Sequence, residues 1–81
     1  MEFKIYISLK EGVLDPEGKA INSSLVNLGF NEVQDIKTGK YIIIKLDENN
    51  KSRARKKISK MCELLLTNTI IEDYVIEEIL N

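Results

Sequence analysis

Between residues 2 and 28 the spacing of apolar residues changes once, from every second residue to helical spacing. The change falls inside KEGVLDPEGKA, residues 10–20. Before it, Phe3, Ile5, Ile7 and Leu9 alternate with Glu2, Lys4, Tyr6 and Ser8, which predicts a strand with one buried face. After it, Ala20, Ile21, Ser24, Leu25 and Leu28 form a stripe along one side of a helix over residues 16–28. The junction has the chemistry of a helix start. The carboxylate of Asp15 suits the N-cap, where it accepts from an unpaired N–H of the first turn. Pro16 suits the first helical position, where a missing N–H costs nothing. Glu17 places negative charge at the positive end of the helix dipole. Gly12 and Gly18 let the backbone turn or approach a neighbour, and Gly29 stands where a left-handed residue ends a helix.

The same run has a superficial likeness to a phosphate-binding loop, G-x-x-x-x-G-K-[ST]. Five residues separate Gly12 from Gly18, one too many, and Ala20 replaces the hydroxyl that would hold magnesium. Asp15 and Glu17 would repel phosphate, and Pro16 lacks an N–H that a phosphate cradle would use. A capped helix start is the reading that fits.

The remaining chain continues the alternation of element types. Residues 32–38, EVQDIKT, read as a second and poorer strand; Val33 and Ile36 have opposite parity, which a bulge or an edge position would accommodate. KTGK, residues 37–40, is a tight turn centred on Gly39. YIIIKL, residues 41–46, is apolar on both faces and belongs in the middle of a sheet. DENN, residues 47–50, is a polar loop able to cap the helix that follows. That helix spans 51–66, with Ala54, Ile58, Met61, Cys62 and Leu65 on one face, and residues 70–80 hold a last strand containing Tyr74, Val75 and Ile76. The order β-α-β-β-α-β predicts a single α+β domain over residues 1–81. It would be a ferredoxin-like two-layer sandwich with a four-stranded antiparallel sheet and both helices on one face. Right-handed crossovers would put the first and third strands at the centre.

Such a layout leaves the second sheet face uncovered, and Tyr6, Tyr41 and Ile43 point to it. An exposed apolar face on so short a chain predicts self-association through Tyr6, Tyr41 and Ile43, as a homodimer or homotetramer. The formal net charge of −1 argues against a general nucleic-acid partner, since affinity for phosphate backbones rests on excess Lys and Arg. No apolar run approaches the roughly 20 residues that span a bilayer, and no secretory signal opens the chain, so no membrane partner is expected. One cysteine and no histidine fit a reducing, cytoplasmic setting.

No catalytic set can be assembled. The basic run on the 51–66 helix reads as a solvated face. Glu72–Asp73 and Glu77–Glu78 are neighbours on a strand and point to opposite faces, so neither pair converges on one site. Cys62 lies on an apolar stripe with no histidine to activate it. The chain reads as a non-catalytic domain that works by association. Two other association classes fit the same pattern: a small-metabolite sensing module, and a single-stranded RNA binder stacking bases on Tyr6 and Tyr41. The aromatic- and glycine-rich strand of RNA-recognition domains is absent, since YIIIKL carries aliphatics.

KEGVLDPEGKAI, LVNLGF, GKYI and CELLLTNTIIEDY, taken together and in this order, resemble the PurS family, the small subunits of phosphoribosylformylglycinamidine synthase. The resemblance runs from the first strand to Tyr74. It implies a three-part ligase of purine synthesis. In it a PurL-like synthetase subunit uses ATP, magnesium and formylglycinamide ribonucleotide, and a PurQ-like glutaminase subunit releases ammonia. The small subunit bridges the two and holds no cofactor of its own. The segments nearest the family, with their turns, nominate Gly12, Asp15, Pro16, Gly18, Gly39, Lys40 and Tyr41 as a candidate partner interface.

Overall fold

A computed structural model describes residues 1–80. Its elements are β1 (Glu2–Leu9), α1 (Pro16–Asn27), β2 (Gly39–Lys45), α2 (Lys51–Met61), a π-helical extension over Cys62–Leu66, and β3 (Glu72–Ile79). The three strands form one antiparallel sheet in the order β2-β1-β3. Alternation along β1 does what its pattern requires. Phe3, Ile5 and Ile7 are buried beneath Ala54, Ile58 and Cys62, and Ile42, Ile44, Leu46, Met61, Leu66, Tyr74 and Ile76 pack around them.

The expected four-stranded sheet is not what these residues make. Residues 32–38 form no strand, the turn expected at 37–40 is replaced by Gly39 and Lys40 entering β2 opposite Ser8 and Ile7, and the strand expected to be central, β2, lies at an edge with β1 at the centre. The parity break between Val33 and Ile36 accounts for the first difference, because such a segment cannot bury a continuous face. Without it, the outer edge of β2 has no neighbouring strand among the described residues.

The two helices also part company. α2 covers the sheet, whereas α1 contributes no residue to the core. Its predicted stripe is real but uncovered: Ala20, Ile21 and Leu28 are exposed, and only Leu25 is half-buried. The radius of gyration is accordingly 16.3 Å, against about 12 Å for a compact domain of this length.

Both helix starts are capped as their sequences predict. The Asn50 side chain accepts from the Arg53 N–H at 2.9 Å, so Asn50→Ala should lower stability by about 1 kcal/mol, read as a lower unfolding temperature. α1 ends on Gly29 at φ +103°. There Gly29 N–H donates to the Val26 carbonyl at 3.0 Å and Phe30 N–H to that of Leu25 at 3.0 Å, closing a Schellman motif.

The 51–66 segment departs from a uniform helix at Cys62. The Thr67 N–H donates to the Cys62 carbonyl at 3.0 Å, five residues back, which inserts one residue into the helical phase. Leu65, expected on the buried stripe, is 83% exposed, and Leu66 packs on the core in its place.

Candidate partner interface

The first strand and α1 are joined by residues 10–15, and the second strand is entered through residues 36–38. The structure brings these two segments together. The Asp15 carboxylate is the joint. One oxygen accepts from the Gly18 N–H at 2.9 Å, which is the helix cap. The other accepts from the Thr38 N–H at 2.7 Å. The Thr38 hydroxyl lies 3.0 and 3.1 Å from the two oxygens and donates to the same carboxylate. These contacts hold the Asp15 carboxyl below its ordinary value, the Thr38 N–H contributing most and the Gly18 N–H next. A carboxyl lowered in the folded state stabilises the fold above its unfolded value, and that contribution is lost as pH falls through the folded value.

A second link runs beside the first. The Lys37 ammonium donates to Glu11 at 2.8 Å on an exposed surface. The pair lowers the Glu11 carboxyl and raises the Lys37 ammonium, each through the hydrogen bond first and the charge second. Exposed pairs of this kind add little to stability. Gly18 matters more to the fit. It is buried in the first turn of α1, and a Cβ there would collide with the Ile36 carbonyl oxygen. The 36–38 backbone can lie against α1 only because residue 18 has no side chain.

Asp15, Pro16, Gly39 and Lys40 line one open cleft of about 460 Å³ with Thr38. Lys40 and Tyr41 line an adjoining one at the start of β2, with Tyr6 and Lys37. Gly12 lies on the other flank of the same loop, facing Asp35 and Lys37. Gly18 lies beneath rather than at the surface. Six of the seven candidate residues therefore border a continuous junction, which their separation in sequence does not announce.

The uncovered sheet face carries the other set. Tyr6 pairs across the strands with Tyr41 and with Val75, and Lys4 with Ile43. Tyr41 is 59%, Ile43 49% and Val75 64% exposed. The pattern omitted Lys4, whose ammonium lies 4.3 Å from the Tyr41 ring centre and 5.2 Å from that of Tyr6. That stacking follows from register alone, since residues 4, 6 and 41 share a face of neighbouring strands.

Groups that might suggest chemistry are otherwise engaged. Cys62 is fully buried and burial pushes its thiol up, the reverse of an activated nucleophile. Glu77 is on the open face, whereas Glu78 lies beneath α2 with Lys51 at 3.4 Å. Glu48 takes up two other cations of α2, Lys57 at 2.9 Å and Arg53 at 3.5 Å. Among the described residues no three acidic, cysteine or histidine side chains come close enough to hold a metal ion. No helix among them is long and apolar enough to cross a membrane.

Comparison with known proteins places this architecture. The family model for PurS, phosphoribosylformylglycinamidine (FGAM) synthase, matches residues 2–79. The chain is 45% identical over 71 residues to phosphoribosylformylglycinamidine synthase subunit PurS of Bacillus subtilis, covering 88% of this chain and 83% of that one. Its fold is similar to Methanocaldococcus jannaschii PurS, one of the subunits of formylglycinamide ribonucleotide amidotransferase in the purine biosynthetic pathway. There the TM-score is 0.86 at 40% identity, over 99% of this chain and 98% of that one. It is also similar to a chain in the structure of PurLQS from Thermotoga maritima, with a TM-score of 0.83 at 31% identity over 98% and 99%. The fold is thus similar along nearly the full length of these chains, the family model spans residues 2–79, and the chain belongs to the PurS family.

Proposed function

We propose that this chain is the small, non-catalytic subunit of phosphoribosylformylglycinamidine synthase. It bridges a PurL-like synthetase and a PurQ-like glutaminase in the ATP- and glutamine-dependent conversion of formylglycinamide ribonucleotide to formylglycinamidine ribonucleotide. The observation that carries this reading is the full-length likeness to a chain of the Thermotoga maritima PurLQS structure. The site supports it by offering contacts rather than chemistry. Lys40 makes no ion pair among the described residues, and it stands exposed at the start of β2, lining the same cleft as Pro16, available to a partner's carboxylate. ATP and magnesium are used by the synthetase, and this chain holds no cofactor. The reaction it serves is cytoplasmic. The purified chain should show no ATPase, glutaminase or ligase turnover; turnover that survives repeated purification and is lost on a point mutation within the chain would overturn this.

The same reading includes self-association. Three surfaces are left incomplete in one copy: the α1 stripe, the outer edge of β2, and the open face bearing Tyr6, Tyr41 and Ile43. An unpaired, apolar edge strand is a template for a second chain. A second copy lying along β2 would supply the fourth strand position and the helix cover that a ferredoxin-like layer has. Sedimentation equilibrium at micromolar concentration should give a multiple of 9.3 kDa, and a clean monomer would remove the argument for an interface on any of the three surfaces.

A further inference from the structure

We propose that Asp15 is a positioning residue of the partner surface, one that presents Lys40 by holding Thr38 rather than by touching a partner itself. The inference rests on the reading of Lys40 as a partner contact. Residues 28–38 contain no regular element, and the ladder with β1 begins only at Gly39, opposite Ser8, so Thr38 is the last residue before β2 that needs a hold of its own. Asp15 reaches across 23 positions to supply it, taking both the Thr38 N–H and the Thr38 hydroxyl. Its remaining contact is the cap to Gly18. A carboxylate already accepting from three protein donors, with both oxygens engaged, has little left to offer a partner cation. Lys40 is the opposite case, exposed and without an ion pair among the described residues. It follows Thr38 by two residues, at the start of β2 opposite Ile7, so a displaced Thr38 disturbs the strand end that carries it. The Asp15 carboxylate and the Lys40 ammonium thus divide one task between an inward-facing and an outward-facing group.

A double-mutant cycle separates positioning from contact. Asp15→Ala, Lys40→Ala and the double variant are titrated into a mixture of the synthetase and glutaminase subunits, and half-saturation of glutamine-dependent ligase activity is read. Lys40→Ala should raise half-saturation about tenfold or more, the loss of one charge-assisted contact. Asp15→Ala should raise it severalfold in the parent chain and change it little in the Lys40→Ala background, because residues acting as one unit are not additive. Asp15→Asn keeps a capping oxygen and should recover part of the loss. Amide exchange on the isolated chain gives a readout independent of partners: Asp15→Ala should speed exchange at 38–40 while β1 and β3 keep their protection. Independent, multiplying effects of Asp15→Ala and Lys40→Ala would make Asp15 a direct contact and overturn the proposal, as would unchanged exchange at 38–40. An unchanged half-saturation for Lys40→Ala would overturn the partner reading beneath it, and would do so whatever the exchange data show.

Discussion

Phe3→Ala is expected to leave the isolated chain largely unfolded at 25 °C. Phe3 is fully buried on the central strand and is the largest of the six buried apolar residues among those described. Truncating a buried Phe costs about 3–5 kcal/mol, the lost transfer energy and the cavity together. Total stability for a chain of this length is about 4–12 kcal/mol, and here the lower part of that range applies, because α1 adds nothing to the core of one copy. The cost and the reserve are therefore comparable. Urea unfolding followed by far-ultraviolet circular dichroism measures it, with Lys40→Ala as a surface control expected to move stability by less than about 0.5 kcal/mol. A Phe3→Ala chain that lost less than about 1 kcal/mol would contradict the core described above.

Gly18→Ala tests the joint between loop and turn, where two effects oppose each other. Alanine in a helix gains up to about 1 kcal/mol over glycine. The added Cβ would meet the Ile36 carbonyl oxygen and also press on the Asp15 carboxylate, 2.9 Å from its Oδ2. The first is backbone, and the second is held in place by the Gly18 and Thr38 hydrogen bonds. Relief requires the 36–38 backbone to move away from α1, and forced overpacking of this kind costs about 1–3 kcal/mol. The steric term is expected to win, giving a lower unfolding temperature and weaker assembly with the partner subunits. A more stable Gly18→Ala chain would mean that the 36–38 segment yields freely, and that Asp15 does not hold it.

What could be read from residue order was local. The alternation of β1, the Asp15–Pro16 helix start, the Gly29 stop and the Asn50 cap each follow from contacts within a few residues. Three features escaped for distinct reasons. Residues 32–38 were expected as a strand, but a strand needs a hydrogen-bonding neighbour and a continuous face, and this segment has neither within one copy. The π-helical insertion after Met61 was hidden because Leu64, Leu65 and Leu66 are consecutive. A run of three leucines satisfies either phase of the helix, so periodicity cannot choose between them. The α1 stripe was legible, but no element among the described residues packs over it. The candidate partner residues were nominated from separate segments. Their union depends on the bond from Asp15 to Thr38, and no local pattern reports a contact across that distance.

A bridging subunit is needed for two other subunits to act together. The direct measurement is glutamine-dependent formation of formylglycinamidine ribonucleotide by the synthetase and glutaminase subunits, with this chain titrated in from zero. Activity with free ammonia is recorded in parallel, since that route bypasses the glutaminase. Glutamine-dependent activity should be negligible without the chain and rise saturably as it is added, while the ammonia-dependent rate should be far less sensitive to it. Full glutamine-dependent activity in its absence would contradict the bridging role.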